Sequence, residues 1–203
     1  MLKIHHSKHS RSMRVVWLAE ELGLDYEVVP IEMFSDAMKT RAYLAIHPLG
    51  KVPAIEDEGF VLWETTAILA YLDTQYGEQA LVPPGGTPSG AVVAQWMAFG
   101  ENPLTIIMGE VAAHSGPMPP DRRIPALVER GNETGPELVR VVERALGDRE
   151  YLCGDGFTAA DIMVCFGLGI GSYLKFVNEQ TPRCQAYLER LQSRPAFQRA
   201  AQV

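Results

Sequence analysis

Along the first third of the chain the apolar positions switch repeatedly between strand and helix spacing. Leu2 to His6 is a short extended run followed by a polar loop. Arg14 to Leu22 has helical spacing through Val15, Leu18, Ala19 and Leu22, and Gly23 sits where a C′ glycine closes a helix. Tyr26 to Pro30 is rich in strand formers, with a proline that suits an edge or the end of a strand. A helical stretch over Arg41 to Ile46 leads to His47-Pro48-Leu49-Gly50. Val52 to Glu56 and Phe60 to Trp63 then predict a hairpin turning near Asp57-Glu58-Gly59, and Thr65 to Tyr76 predicts an amphipathic helix. The order β-α-β-α-β-β-α from Met1 to about Tyr76 is an α/β pattern with a mixed sheet.

Past that point the pattern changes. Leu81 to Gly90 packs proline and glycine into a stretch that cannot continue a helix, and beyond it no strand is convincing. The expected organisation is an α/β domain over 1–78, a linker over 79–88 and an all-α domain over 89–203. Helices are expected from about Ser89 to Val111, Pro125 to Leu146, Ala159 to about Phe176 and Arg183 to Leu191, with a short piece after Pro195. Thr158-Ala159-Ala160-Asp161 reads as a helix start, with a hydroxyl at the cap and an acid three residues on.

Composition narrows the function. The 203 residues carry a formal net charge of -7, which leaves no basic stripe for a phosphate backbone and disfavours both nucleic acid and anionic membranes as partners. The start has scattered charge and histidines and no apolar stretch of signal-peptide length, so it reads as mature protein. The most apolar run, Ile162 to Leu174, is too short to span a bilayer. Cys153, Cys165 and Cys184 are odd in number, widely spaced and never in a C-x-x-C, so reduced cytoplasmic thiols are the expectation.

Four segments carry a family resemblance. His9-Ser10-Arg11-Ser12-Met13-Arg14-Val15-Val16-Trp17-Leu18, continuing through Glu20-Glu21-Leu22-Gly23-Leu24-Asp25-Tyr26-Glu27, resembles the first loop and helix of cytosolic glutathione S-transferases. Pro48-Leu49-Gly50-Lys51-Val52-Pro53-Ala54 resembles the family's N-P-x-G-K-V-P segment, and Leu62 to Leu72 its L-x-E-S-x-A-I-x-x-Y-L segment. Phe157 to Ile162 resembles its capping motif in the second domain. Together they bracket most of the chain and identify a bacterial-type member with a serine first loop, S-R-S. The resemblance implies a thioredoxin-like N-terminal domain that binds glutathione as co-substrate, an all-helical C-terminal domain with a hydrophobic substrate pocket, no metal, and a homodimer with Tyr71 to Tyr76 and the first helix of the second domain near the interface.

Elementary chemistry supports the same positions. A hydroxyl at a helix N-terminus suits a thiolate, because the oriented amides there lower a thiol's pKa. Ser10 is the first choice for that hydroxyl and Ser12 the alternative. Arg11 stands where some bacterial members have cysteine, which argues against a cysteine-based thioltransfer. Val52, ahead of Pro53, offers an amide and a carbonyl to an extended peptide, and the resemblance implies a cis bond between the two. Lys51 suits the glycyl carboxylate as a flexible point charge. Glu64 suits the γ-glutamyl amine, and the Thr65 hydroxyl with the helix amides suits its carboxylate.

Rival readings remain open. On the same fold, glutathione-dependent peroxide or disulfide reduction is an alternative to conjugation. A transferase-like scaffold that binds partners without catalysis is another, against which the retained Lys51, Glu64 and Thr65 speak. The maleylacetoacetate isomerase branch is disfavoured because its S-S-C motif is not found between Ser7 and Ser12. Taken alone, Ser10 would be a helix cap, Lys51 a solvated charge and Glu64 a favourable dipole partner. His5, His6 and His9 do not form a metal set, since neighbouring strand residues face opposite ways. Trp96, Met97, Phe99 and Met108 read first as core, although the resemblance places their helix beside the electrophile.

Overall fold

The computed structural model describes residues 1–203, which group into two compact units: Met1–Val82 with Arg194–Val203, and Pro83–Ser193. The first is a four-stranded mixed sheet with helices. Strands β1 (Leu2–His6), β2 (Tyr26–Pro30), β3 (Ala54–Asp57) and β4 (Phe60–Trp63) lie in the order β2-β1-β3-β4. β1 and β2 are parallel, and β1/β3 and β3/β4 are antiparallel. Pro30 thus ends an edge strand, where its missing N–H costs no ladder bond. Strand alternation sends His6 toward helix α1 (Met13–Glu21), where it meets Ser12, and His5 toward the opposite face, where its ring lies 5.5 Å from Tyr43 of α2 (Arg41–Ile46). Ile4, Val15, Val16, Leu18, Ile55, Ile68, Leu69 and Leu72 form the fully buried core of this unit, the last four supplied by β3 and α3 (Thr65–Tyr76). Gly23 has φ of +65° and follows α1 as expected.

The sequence places the hairpin's first strand at Val52. In the structure β3 opens only at Ala54, so the N–H and C=O of Val52 lie outside the sheet's pairing.

The second unit is helical, with α4 (Pro88–Phe99), α5 (Ile106–Ser115), α6 (Pro125–Leu146), α7 (Ala159–Tyr173) and α8 (Pro182–Gln192). The single helix expected over 89–111 is two. Between α4 and α5 the residues Gly100–Thr105 form a π-helical turn, interrupted by extended Asn102 and a cis Asn102–Pro103 bond. Pro103 supplies no N–H to a helix ladder, and the Thr105 hydroxyl donates to the Gly100 carbonyl at 2.6 Å. The kink packs on α7: a Cβ on Gly167 would lie 2.7 Å from Leu104 Cγ.

The last ten residues, which the sequence reading assigns to the helical region, fold with the first unit. Helix α9 (Pro195–Ala200) lies against α1, where Phe197 stacks edge-on to Trp17 with ring centroids 4.9 Å apart. Arg194 makes a bidentate pair with Glu21 at 2.7 and 2.8 Å, and Arg199 reaches Glu20. At the other boundary the Asp73 carboxylate accepts from the Leu81 and Val82 amides at 3.1 and 2.6 Å, tying that segment to α3. No helix is long and apolar enough to cross a membrane.

Candidate active site

The register of the sheet brings the singled-out residues to one end of it. His5 of β1 pairs with Ala54 of β3, and Ala54 with Trp63 of β4. The loop after β1, the residues just before β3 and the residue just after β4 therefore meet at the same edge. That places Ser10 and Ser12, then Lys51, Val52 and Pro53, then Glu64 and Thr65, around the end of the parallel strands. In α/β sheets this is where ligands bind.

The serine loop is a closed hydrogen-bond system. Ser10 Oγ donates to the Ser7 carbonyl at 2.7 Å and lies 2.7 Å from Ser12 Oγ. Ser12 Oγ accepts from the Ser7 amide at 3.1 Å and lies 2.9 Å from His6 Nδ1. The Ser12 amide donates to Ser10 Oγ at 3.2 Å. Ser12 occupies the cap position of α1 without a side-chain cap bond, and Ser10 lies two residues before it. Ser12 is fully buried, whereas Ser10 retains 9% exposure. Burial lowers the basicity of His6, aided by Lys8 and opposed by a hydrogen bond with the Ser12 backbone, so the neutral ring is favoured near pH 7.

Lys51 is exposed, and its carbonyl accepts from the Tyr43 hydroxyl at 2.7 Å. Val52 is buried, and the Val52–Pro53 bond is cis. Thr65 opens α3 and is buried, and its hydroxyl accepts from Arg14 Nη2 at 3.3 Å. Glu64 is exposed, with φ of +76° and ψ of 116°. A non-glycine residue at that backbone position stores about 1–3 kcal/mol of strain. Such strain persists where a side chain is held for function. Glu64→Gly is therefore expected to be about 1 kcal/mol more stable than Glu64→Ala, measured by urea unfolding. Equal midpoints for the two variants would remove the strain argument.

Two members of this region escaped the sequence reading. Arg14 is a fully buried cation on α1 that donates to the Arg11 carbonyl at 3.3 Å as well as to Thr65, joining the serine loop to the start of α3. The available signal was a charged residue inside a run, Arg14 to Ala19, that is otherwise apolar. His47 is buried with its ring 5.4 Å from Trp63, and stands where the resembling segment has asparagine. Burial lowers its basicity, with Glu64 pulling the other way and Lys51 adding to the fall. No group of three or more His, Cys, Asp or Glu side chains is arranged to hold a metal ion. On the helical unit Trp96, Met97 and Met108 are buried, and Phe99 packs edge-on against Trp96 at 5.2 Å.

A thioredoxin-like α/β unit with a hydroxyl loop at the strand ends, followed by a helical unit, defines the class. Family models give its name: the glutathione S-transferase N-terminal domain matches residues 3–74 and the glutathione S-transferase C-terminal domain matches residues 106–195. The chain belongs to the glutathione S-transferase family, and so to the transferase enzymes. It is 32% identical to glutathione S-transferase 3 of Schizosaccharomyces pombe, over 100% of this chain and 87% of that protein. It is 30% identical to a probable glutathione S-transferase of Oryza sativa subsp. japonica, over 94% of this chain and 90% of that one. Among solved structures it resembles the theta class enzyme of Xanthomonas axonopodis pv. citri with glutathione bound. The TM-score is 0.84 and the identity 29%, and the match covers 100% of this chain and 97% of that one.

Proposed function

We propose that the protein is a glutathione transferase that holds reduced glutathione with its sulfur beside Ser10 and joins that sulfur to an electrophilic carbon of an apolar compound. The thiol proton leaves to solvent, the C–S bond forms, and the electrophile's leaving group departs with its electron pair. The observation that carries this reading is the Ser10 hydroxyl. It is the outward member of a hydroxyl pair whose inner member, Ser12, is sealed from solvent. Ser10 is thus the serine that touches the thiolate, and Ser12 stands behind it. Val52 offers its N–H and C=O to the peptide, ahead of Pro53. Lys51 meets the glycyl carboxylate and Glu64 the γ-glutamyl amine. Thr65 and the α3 amides take the γ-glutamyl carboxylate, with the Arg14 charge behind Thr65.

Thiol activation supplies only part of the rate. Lowering the thiol pKa from about 8.5 to about 6.5 raises the ionised fraction at neutral pH from roughly 3% to roughly 75%. The accompanying loss of nucleophilicity gives back roughly eightfold. The net gain is a few-fold, so most acceleration comes from holding thiolate and electrophile together.

Functionally we divide the chain as 1–78 for glutathione, 79–88 as linker and, of the 89–203 region, the helical part up to Ser193 for the apolar electrophile, residues 194–203 folding back on the first unit. Within the family we assign it to the bacterial-type members with an S-R-S first loop, acting as a cytoplasmic homodimer with Tyr71 to Tyr76 near the interface. Conjugation is favoured over disulfide exchange because the protein's own thiols are poor nucleophiles. Burial pushes Cys153 up to about 11 and raises Cys165 and Cys184 further.

The test is conjugation of an activated chloroarene. Ser10→Ala is expected to lower kcat/KM about tenfold to a hundredfold, the value of one charge-assisted hydrogen bond, while glutathione affinity by calorimetry changes less than about threefold. A wild-type rate in the variant would defeat the Ser10 assignment. Failure of the wild-type protein to bind glutathione would defeat the whole reading.

A further inference from the structure

The protons of the serine loop can be counted, and the count reaches His6. Three short contacts run in series: Ser7 O to Ser10 Oγ at 2.7 Å, Ser10 Oγ to Ser12 Oγ at 2.7 Å, and Ser12 Oγ to His6 Nδ1 at 2.9 Å. Each needs one proton between its two heavy atoms. The Ser7 carbonyl has none to give, so the first contact takes the Ser10 hydroxyl proton. The Ser12 proton then fills the second contact, because Ser10 Oγ at 2.7 Å is a much closer acceptor for it than the Ser7 carbonyl at 3.3 Å. The third is left to the ring, which must carry its proton on Nδ1 and donate it to Ser12 Oγ. The backbone fits the same pattern: Ser12 Oγ fills its second acceptor position with the Ser7 amide, and Ser10 Oγ with the Ser12 amide. A neutral ring has one N–H, so the tautomer is fixed.

The opposite direction is a self-defeating arrangement. With Nδ1 bare, Ser12 would spend its proton on the ring and Ser10 would have to turn inward to Ser12. The 2.7 Å approach of Ser10 Oγ to the Ser7 carbonyl would then set two acceptors against each other.

We infer that His6 is a positioning residue of the transferase site: by donating Nδ1–H to Ser12 it turns the Ser12 hydroxyl onto Ser10 and leaves the Ser10 proton as the one that can swing outward to the sulfur of glutathione. The inference rests on the reading of Ser10 as the thiolate's partner. When glutathione binds, the Ser10 proton exchanges the neutral Ser7 carbonyl for an anionic sulfur, the stronger acceptor. Ser10 Oγ meanwhile keeps both of its incoming bonds. The chain of donors polarises in one direction, which strengthens the terminal bond to sulfur. His6 is itself buried and lies behind a fully buried serine.

The test compares two nearly isosteric replacements. His6→Asn can place an amide N–H where Nδ1–H stands, and His6→Leu cannot donate. In the glutathione-bound protein, the pH titration of the thiolate's ultraviolet absorbance gives the thiol pKa. Asn is expected to stay within a few tenths of a unit of wild type. Leu is expected to raise the value by about one unit, one hydrogen bond's worth of preference for the charged form, with KM for glutathione changed less than about twofold. A Leu variant that titrates with Asn overturns the inference. If Leu does not fold, nitrogen chemical shifts of the His6 ring in the wild-type protein decide: a proton on Nδ1 supports the inference, and a proton on Nε2 overturns it. Ser10→Ala is titrated alongside. If its bound thiol keeps the wild-type pKa, the Ser10 reading fails separately from His6.

Discussion

Asp161→Ala is expected to lower the stability of the helical unit by about 3–5 kcal/mol, the largest effect of any single change considered for this protein. The carboxylate is fully buried at the start of α7 and accepts four hydrogen bonds. They come from the Leu152 amide at 3.1 Å, the Thr158 amide at 2.8 Å, the Thr158 hydroxyl at 3.0 Å and the Tyr187 hydroxyl at 2.7 Å. Truncation takes the acceptor away from all four donors in a buried region. The loss is larger than that of an exposed cap, about 1 kcal/mol, because this acid ties the loop before α7, the helix start and α8 together. Urea unfolding followed by circular dichroism is the measurement. A midpoint corresponding to less than about 1 kcal/mol of loss would show that the network contributes little.

Removing residues 194–203 is expected to cost the first unit about 3 kcal/mol or more. Trp17 is 1% exposed with Phe197 on its edge, and loses that cover. Glu21 loses both arms of Arg194, though the Trp17 ring N–H still donates to it at 2.9 Å. Arg199→Ala alone should change stability by less than about 0.5 kcal/mol, because that side chain is half exposed and water replaces its pairing. The contrast separates packing from surface charge. If the truncated protein and the intact one unfold at the same denaturant concentration, the terminal segment is not a support for α1.

How far the sequence revealed the molecule depends on whether the deciding interaction is local. Tyr26–Pro30, Thr65–Tyr76 and Pro125–Leu146 are legible because periodicity and end signals agree within each segment. The break at Asn102–Pro103 carried a local signal, the proline, but the apolar spacing on either side runs through it and overrides the interruption. Arg194 to Val203 reads as a continuation of the helical region because its partners, Glu20, Glu21 and Trp17, lie at the other end of the chain. The same division runs through the candidate site. Lys51, Val52, Glu64 and Thr65 are visible as short motifs. The union of Arg14 with Thr65 spans 51 positions and needs the fold, and the link from His6 to Ser12 needs the chain to turn back at His9, whose φ is +56°.

The return of α9 to α1 also sets an order of events during synthesis. Helix α1 leaves the ribosome well before the residues that cover Trp17 and pair with Glu20 and Glu21, since Arg194 follows Glu21 by 173 positions. Until Arg194 to Ala200 are released, the nascent α/β half carries an unshielded indole and two carboxylates that lack their arginine partners. Its final locking therefore waits until translation of the whole intervening helical segment is complete.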